Sequence, residues 1–115
     1  MTIRTKRIYD PPARTDGYRV LVDRIWPRGL TKEHAAIDLW LKDIAPSTAL
    51  RLWFKHDPRK WREFQTRYFR ELEQVMAHVT LLKSRAKAQR LTLLYAAKDT
   101  EYNNAVALKT FLESH

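Results

Sequence analysis

Two short stretches concentrate the side chains able to do chemistry: Asp23-Arg24-Ile25-Trp26-Pro27-Arg28-Gly29 and Lys98-Asp99-Thr100-Glu101-Tyr102-Asn103-Asn104. Guanidinium groups fork onto phosphate or carboxylate oxygens, an ammonium adds a compact positive charge, and a carboxamide both donates and accepts. Arg24, Arg28, Lys98, Asn103 and Asn104 are therefore the candidate ligand-binding set. Asp23 and Asp99, one from each stretch, are the catalytic candidates, as a carboxylate pair that shares a proton or divides the roles of acid and base. Plainer roles compete with these. Asp23 can neutralise Arg24, Arg28 can bind a loop carbonyl, and Asp99 can cap a helix. On the residues alone, catalysis is undecided.

Other chemistries have less to work with. Gly17 and Gly29 are the only glycines, so neither a GxGxxG fingerprint nor a Walker A loop can be written, and no cofactor is implied. Without cysteine there is no disulfide, thiol nucleophile or thiolate metal site. His34, His56, His78 and His115 are widely spaced and form no HExxH pattern, so no metal is expected. No serine stands in a GxSxG context.

Charge favours anionic partners. The 22 Lys+Arg against 13 Asp+Glu give +9 at pH 7, a field that attracts phosphorylated metabolites, nucleotides or nucleic acid. Between Arg51 and Arg70 seven basic residues meet only two acids, with Trp53, Trp61, Tyr68 and Phe69 interleaved. The basic run then continues to Arg90. Such a face suits backbone contact with base stacking, so a nucleic-acid-binding or regulatory module is the alternative function. No apolar stretch approaches the ~20 residues of a spanning helix, and none follows the basic start as in a secretory signal. A cytoplasmic protein with no membrane partner is expected.

These residues need elements to position them. The length of 115 residues predicts a single domain over 1–115. Residues 3–9 read as a short strand and 10–17 as a loop. Residues 18–23 are β-branched and bounded by turn signals, a good strand. Thr31 is a plausible N-cap for a helix to about Ile44, with Ile37, Trp40, Leu41 and Ile44 on one stripe. Ser47 caps a short helix through Lys55, and Asp57-Pro58 starts a longer one. That helix is predicted to pack on the sheet and to continue toward Ala88, with a break near 77–80. Residues 91–96 are nearly continuous in apolar character, as in a strand buried on both faces. A last helix buries Ala105, Leu108 and Leu112.

Strands that lead through polar turns into helices predict an α/β layered domain, with a small, mainly parallel sheet of about three strands covered by helices. The direction of the first strand is open, because residues 10–17 are too few for a helical crossover. In such sheets ligands bind beyond the carboxyl ends of the strands. Both chemical stretches would lie there, forming an anion-accepting pocket for a phosphorylated small molecule or nucleotide.

The strings Asp16-Gly-Tyr-Arg-Val-Leu-Val-Asp-Arg-Ile-Trp-Pro-Arg-Gly29 and Leu93-Leu-Tyr-Ala-Ala-Lys-Asp99, with Asn103, resemble those of a known group. The chain is similar to the YeaO-like branch of the bacterial domain-of-unknown-function family 488. The likeness runs from Lys6 to Leu112 and includes Ala45-Pro-Ser47 with Leu50-Arg51. It implies an α/β fold and a strand-end site holding Asp23, Arg24 and the Asn103–Asn104 turn; it carries no activity. Relatives are expected to have Asn-His-Ala where this chain has Asn103-Asn104-Ala105. Asparagine keeps a hydrogen bond there but cannot shuttle a proton near neutral pH.

Overall fold

Strand β4 (Leu91–Tyr95) is buried along its whole length, because it runs between β1 (Ile3–Arg7) and β2 (Tyr18–Leu21). Its continuous apolar character is thus that of a central strand. The structure, a computed structural model, describes residues 1–115. The fold is α/β, with four strands in the order β1-β4-β2-β3, all parallel. Strand β1 runs parallel to β4, with Ile3 opposite Leu91 and Arg7 opposite Tyr95. Since β4 separates β1 from β2, residues 8–17 make no hairpin. They cross to a strand two places away.

The fourth strand adds to the expected small parallel sheet of about three, and it forms where a helix to about Ile44 was expected. Thr31 does cap a helix, accepting from the His34 amide, but α1 (Lys32–Ala35) lasts only four residues. Ala36 turns left-handed, and Leu39–Trp40 pairs with β2 as β3. Arg19 explains the early stop. Its Nε donates to the Ala36 carbonyl at 2.8 Å and its Nη2 to the Ala35 carbonyl at 2.7 Å. The Arg19 amide is held by the Asp38 carboxylate at 2.8 Å. These bonds satisfy the carbonyls that another helical turn would have used, so tertiary contacts override the amphipathic spacing.

Alternation along the strands divides the core. On one face Ile3, Val20, Val22, Leu91, Leu93 and Tyr95 join a cluster of 21 buried residues with α2 (Thr48–Phe54), α3 (Trp61–Leu72), α4 (Met76–Ala88) and α5 (Asn104–Ser114). The opposite face has an apolar cluster of only Ile8, Leu21, Ala35 and Leu94, flanked by Trp26 and Trp40, beside the buried polar Arg19 and Thr92. The helical layer therefore lies almost wholly on one side. Ser47 and Asp57 cap as their types require, accepting from the Leu50 and Arg59 amides. The helix after Pro58 ends at Leu72, before the expected break, and α4 starts afresh at Met76. Nor is α3 laid mainly on the sheet. Its principal helix partners are α2 and α5, while α4 and α5 touch β4.

Gly17 joins the β1–β2 connection to the sheet. Its φ is +67°, and a Cβ there would lie 2.2 Å from the Arg90 carbonyl oxygen. That oxygen accepts from the Tyr18 amide at 2.8 Å, so only glycine admits this approach. No helix is long and apolar enough to cross a membrane.

Candidate functional site

Because all four strands are parallel, the ends of β2 and β4 share one edge of the sheet, and there they open into a cavity of about 420 Å³. This lies within the usual size range of small-molecule pockets. Chain leaving β2 supplies Asp23, Arg24, Trp26 and Arg28, chain leaving β4 supplies Ala96 and Ala97, and the start of α5 supplies Asn103 and Asn104. The segment from α2 to α3 closes the cavity with Arg51, Phe54, His56 and Phe64.

Asp23 sits at the base of this arrangement. Its Oδ2 accepts from the Ala96 amide at 2.9 Å and its Oδ1 from Asn104 Nδ2 at 3.0 Å. Burial pushes its carboxyl above the ordinary value, against the pull of Asn104, Ala96, His56 and Arg51. Arg24 does not neutralise Asp23. It turns away and donates Nη2 to the Ala45 carbonyl at 3.0 Å and Nε to that of Pro46 at 3.4 Å. Arg28 is exposed on the rim; its carbonyl accepts from Tyr9 Oη at 2.9 Å.

Other expected site residues serve the turn instead. Asn103 lines the cavity but is the N-cap of α5: its Oδ1 accepts from the Val106 amide and its Nδ2 donates to the Asp99 carbonyl. Asp99 Oδ1 accepts from the Glu101 and Tyr102 amides at 2.8 and 3.0 Å. The Tyr102 amide, with that of Glu101, holds this carboxyl below its ordinary value. Asp99 and Lys98 lie outside the cavity lining, so the cavity holds Asp23 without a second carboxylate.

Arg51 and His56 are the cavity residues that sequence reasoning missed, Arg51 as part of the basic run and His56 as one of four spaced histidines. The turn after α2 was their signal. Helix α2 must stop before the Asp57-Pro58 start, and it does so through two consecutive left-handed residues, Lys55 (φ 48°) and His56 (φ 55°). Non-glycine residues in that conformation cluster at functional sites.

The aromatics of the basic helices are largely used in packing. Tyr68 is fully buried and donates its hydroxyl to the Ile44 carbonyl at 2.6 Å. Trp61 packs on Phe54, Phe64 and Tyr102, and Phe69 on Phe111. Trp53 is covered by Lys60 and Arg67. No group of three histidine, cysteine, aspartate or glutamate side chains gathers as a metal site.

The protein belongs to the family described as the inactive DUF488-N3 subclade, which matches residues 2–115. Among relatives, it is 46% identical over 114 residues to the uncharacterised protein YeaO of Escherichia coli strain K12, covering 99% of both chains. It is also 37% identical over 110 residues to an uncharacterised protein of Mycobacterium tuberculosis strain H37Rv, covering 96% of this chain and 92% of that one. No solved structure matches the chain significantly.

Proposed function

We propose that the strand-end cavity binds a phosphorylated small molecule or nucleotide in the cytoplasm, and holds it without turnover. One observation carries this reading. Arg24, Arg28 and Arg51 line one cavity, yet the fold's ion pairs, Lys6–Asp16, Arg19–Asp16, Arg59–Asp57 and Arg67–Glu63, involve none of them. Asp23 is the only acid in the lining, and it is already engaged by Asn104 and Ala96. Unpaired guanidiniums beside an apolar wall suit a phosphate attached to an organic body. Binding without turnover draws support from the family's description as inactive.

Calorimetric titration with inorganic phosphate and nucleoside monophosphates tests the reading. Saturable binding is expected, weakened about 10- to 100-fold by Arg51→Ala or Arg28→Ala, the worth of one charge-assisted hydrogen bond. Absence of saturable binding at millimolar concentrations overturns it. The second reading, a nucleic-acid-binding or regulatory module using the helices between Arg51 and Arg90, rests on the +9 charge. With most of the aromatics engaged in packing, contact there would be chiefly to phosphate backbone, and affinity would fall steeply with salt.

A further inference from the structure

The cavity differs in chemistry between rim and floor. Arg28, Arg51 and His56 are exposed at the rim, whereas Asp23 and Asn104 are half-buried at the strand ends. The orientation of the Asn104 amide follows from its neighbours. Its Nδ2 lies 3.0 Å from the Val22 carbonyl and 3.0 Å from Asp23 Oδ1. Both are acceptors, so the amino end must face them, and both of its hydrogens are used. The Asn104 Oδ1 is left as an acceptor with no protein partner. It is not sealed in the interior, since no buried side-chain nitrogen or oxygen lacks a hydrogen bond. Beside it, each Asp23 oxygen receives one protein donor and retains room for another.

The side chains of Asp23 and Asn104 thus present acceptors to the cavity, a carboxylate and an amide oxygen. A phosphate is repelled there, whereas an N–H or O–H group finds unused acceptors. Between floor and rim, Trp26, Pro27 and the stacked pair Phe54 and Phe64 (centroids 4.3 Å apart) supply apolar wall. We infer that the cavity selects a two-ended ligand, with a phosphate at the Arg28–Arg51 rim and a hydrogen-bond donor against Asp23 and Asn104, as a nucleoside monophosphate provides. The inference rests on the anion-binding reading above and specifies the ligand class for the same cavity.

The test compares inorganic phosphate, phenyl phosphate and nucleoside monophosphates on wild-type protein and on Asp23→Asn, by titration at neutral pH. Phenyl phosphate has the anion and a flat apolar body but no donor at its far end. Nucleoside monophosphates are expected to bind wild-type protein about tenfold more tightly than phenyl phosphate, the worth of one hydrogen bond to a charged group. Asp23→Asn removes a negative charge from the cavity. It should therefore tighten phosphate and phenyl phosphate while weakening the nucleotide about tenfold. A shift of the same sign for all three probes overturns the two-ended ligand and leaves the anion site standing. Failure of every probe to bind wild-type protein overturns both. Circular dichroism checks folding of the variant. Should Asp23→Asn not fold, Asn104→Ala makes the same comparison: nucleotide affinity falls and phosphate affinity is unchanged, and equal losses for both count against the inference.

Discussion

Asn104 Nδ2 stands 3.0 Å from Asp23 Oδ1, which joins the first turn of α5 to the chain leaving β2. The same amide group reaches the Val22 carbonyl, so one side chain aligns two strand-end segments that are far apart in sequence. Neither residue is free to drift. The cavity floor is therefore set by the scaffold before any ligand arrives.

The environment of Asp23 makes stability depend on pH. Burial raises its folded pKa above the unfolded value near ~3.9. Between those two values the native state holds a proton that the unfolded chain has released. Its contribution to stability therefore falls as pH rises through that window and levels off above the folded value. Denaturant unfolding across this range should show the decline in wild-type protein and a flatter profile in Asp23→Asn. Superimposable profiles would count against a desolvated carboxyl.

Asp16 has the opposite sign. Burial opposes its ionisation, but the Ala13 amide, Lys6 and Arg19 together hold its carboxyl below the ordinary value. Its stabilisation is present above the unfolded pKa and is lost as pH falls through the folded one. Arg19 Nη1 lies 2.5 Å from Asp16 Oδ2 in a buried pair. Arg19→Met leaves that carboxylate to Lys6 and the Ala13 amide and frees the Ala35 and Ala36 carbonyls, and should destabilise by about 1–3 kcal/mol. Adding Asp16→Asn should restore part of the loss. Urea melts of the single and double variants measure the coupling, and strict additivity would refute it.

How far the sequence announced this structure depends on the range of the forces involved. Local signals at Ser47, Asp57-Pro58 and the apolar run before Tyr95 are self-contained, and their elements form where expected. The segment from Ile37 to Ile44 carries a helical stripe, but its fate is decided by Arg19 and Asp38, whose bonds exist only after β2 has docked. The site divides in the same way. Asp23, Arg24 and Arg28 follow β2 closely, and Asn103 and Asn104 open the helix after β4, so locating the strands and that helix locates them. Lys98 and Asp99 share that proximity in sequence, yet the turn capped by Asp99 leaves them outside the cavity. Arg51 and His56 arrive from another layer, and local spacing carries no record of that.

Phe64 and Trp40 separate core from site support. Phe64 is 2% exposed, stacked on Phe54 and within contact of Tyr68 and Trp61. Phe64→Ala should destabilise by about 3–5 kcal/mol. Trp40, which the sequence places on one stripe with Ile37, Leu41 and Ile44, is only half-buried on the thinner face, where its Nε1 donates to the Asp23 carbonyl at 2.7 Å. Trp40→Phe keeps most of the packing and removes that bond, so it should lose about 1 kcal/mol. Denaturant midpoints rank the two, and equal losses would contradict the burial difference.

Arg24 decides between a structural pair and a cavity wall. Two of its donors hold the Ala45 and Pro46 carbonyls, and none reaches Asp23 within ion-pair distance. Arg24→Ala frees the segment that leads into α2 and should lower stability by about 1–3 kcal/mol, the range for hydrogen bonds from a charged donor. Arg24→Lys should recover only part of this, because a single ammonium cannot span two carbonyls as the fork does. Were Arg24 the partner of Asp23, its loss would leave an unpaired carboxylate, and Asp23→Asn would rescue the variant by several kcal/mol. The geometry predicts no such rescue, with a coupling energy of at most about 1 kcal/mol, the upper end for a weak, solvated ion pair. A double-mutant cycle from thermal melts measures it. Strong rescue would show that Arg24 neutralises Asp23 in solution, and would remove its guanidinium from the unpaired cations on which the anion-binding reading depends.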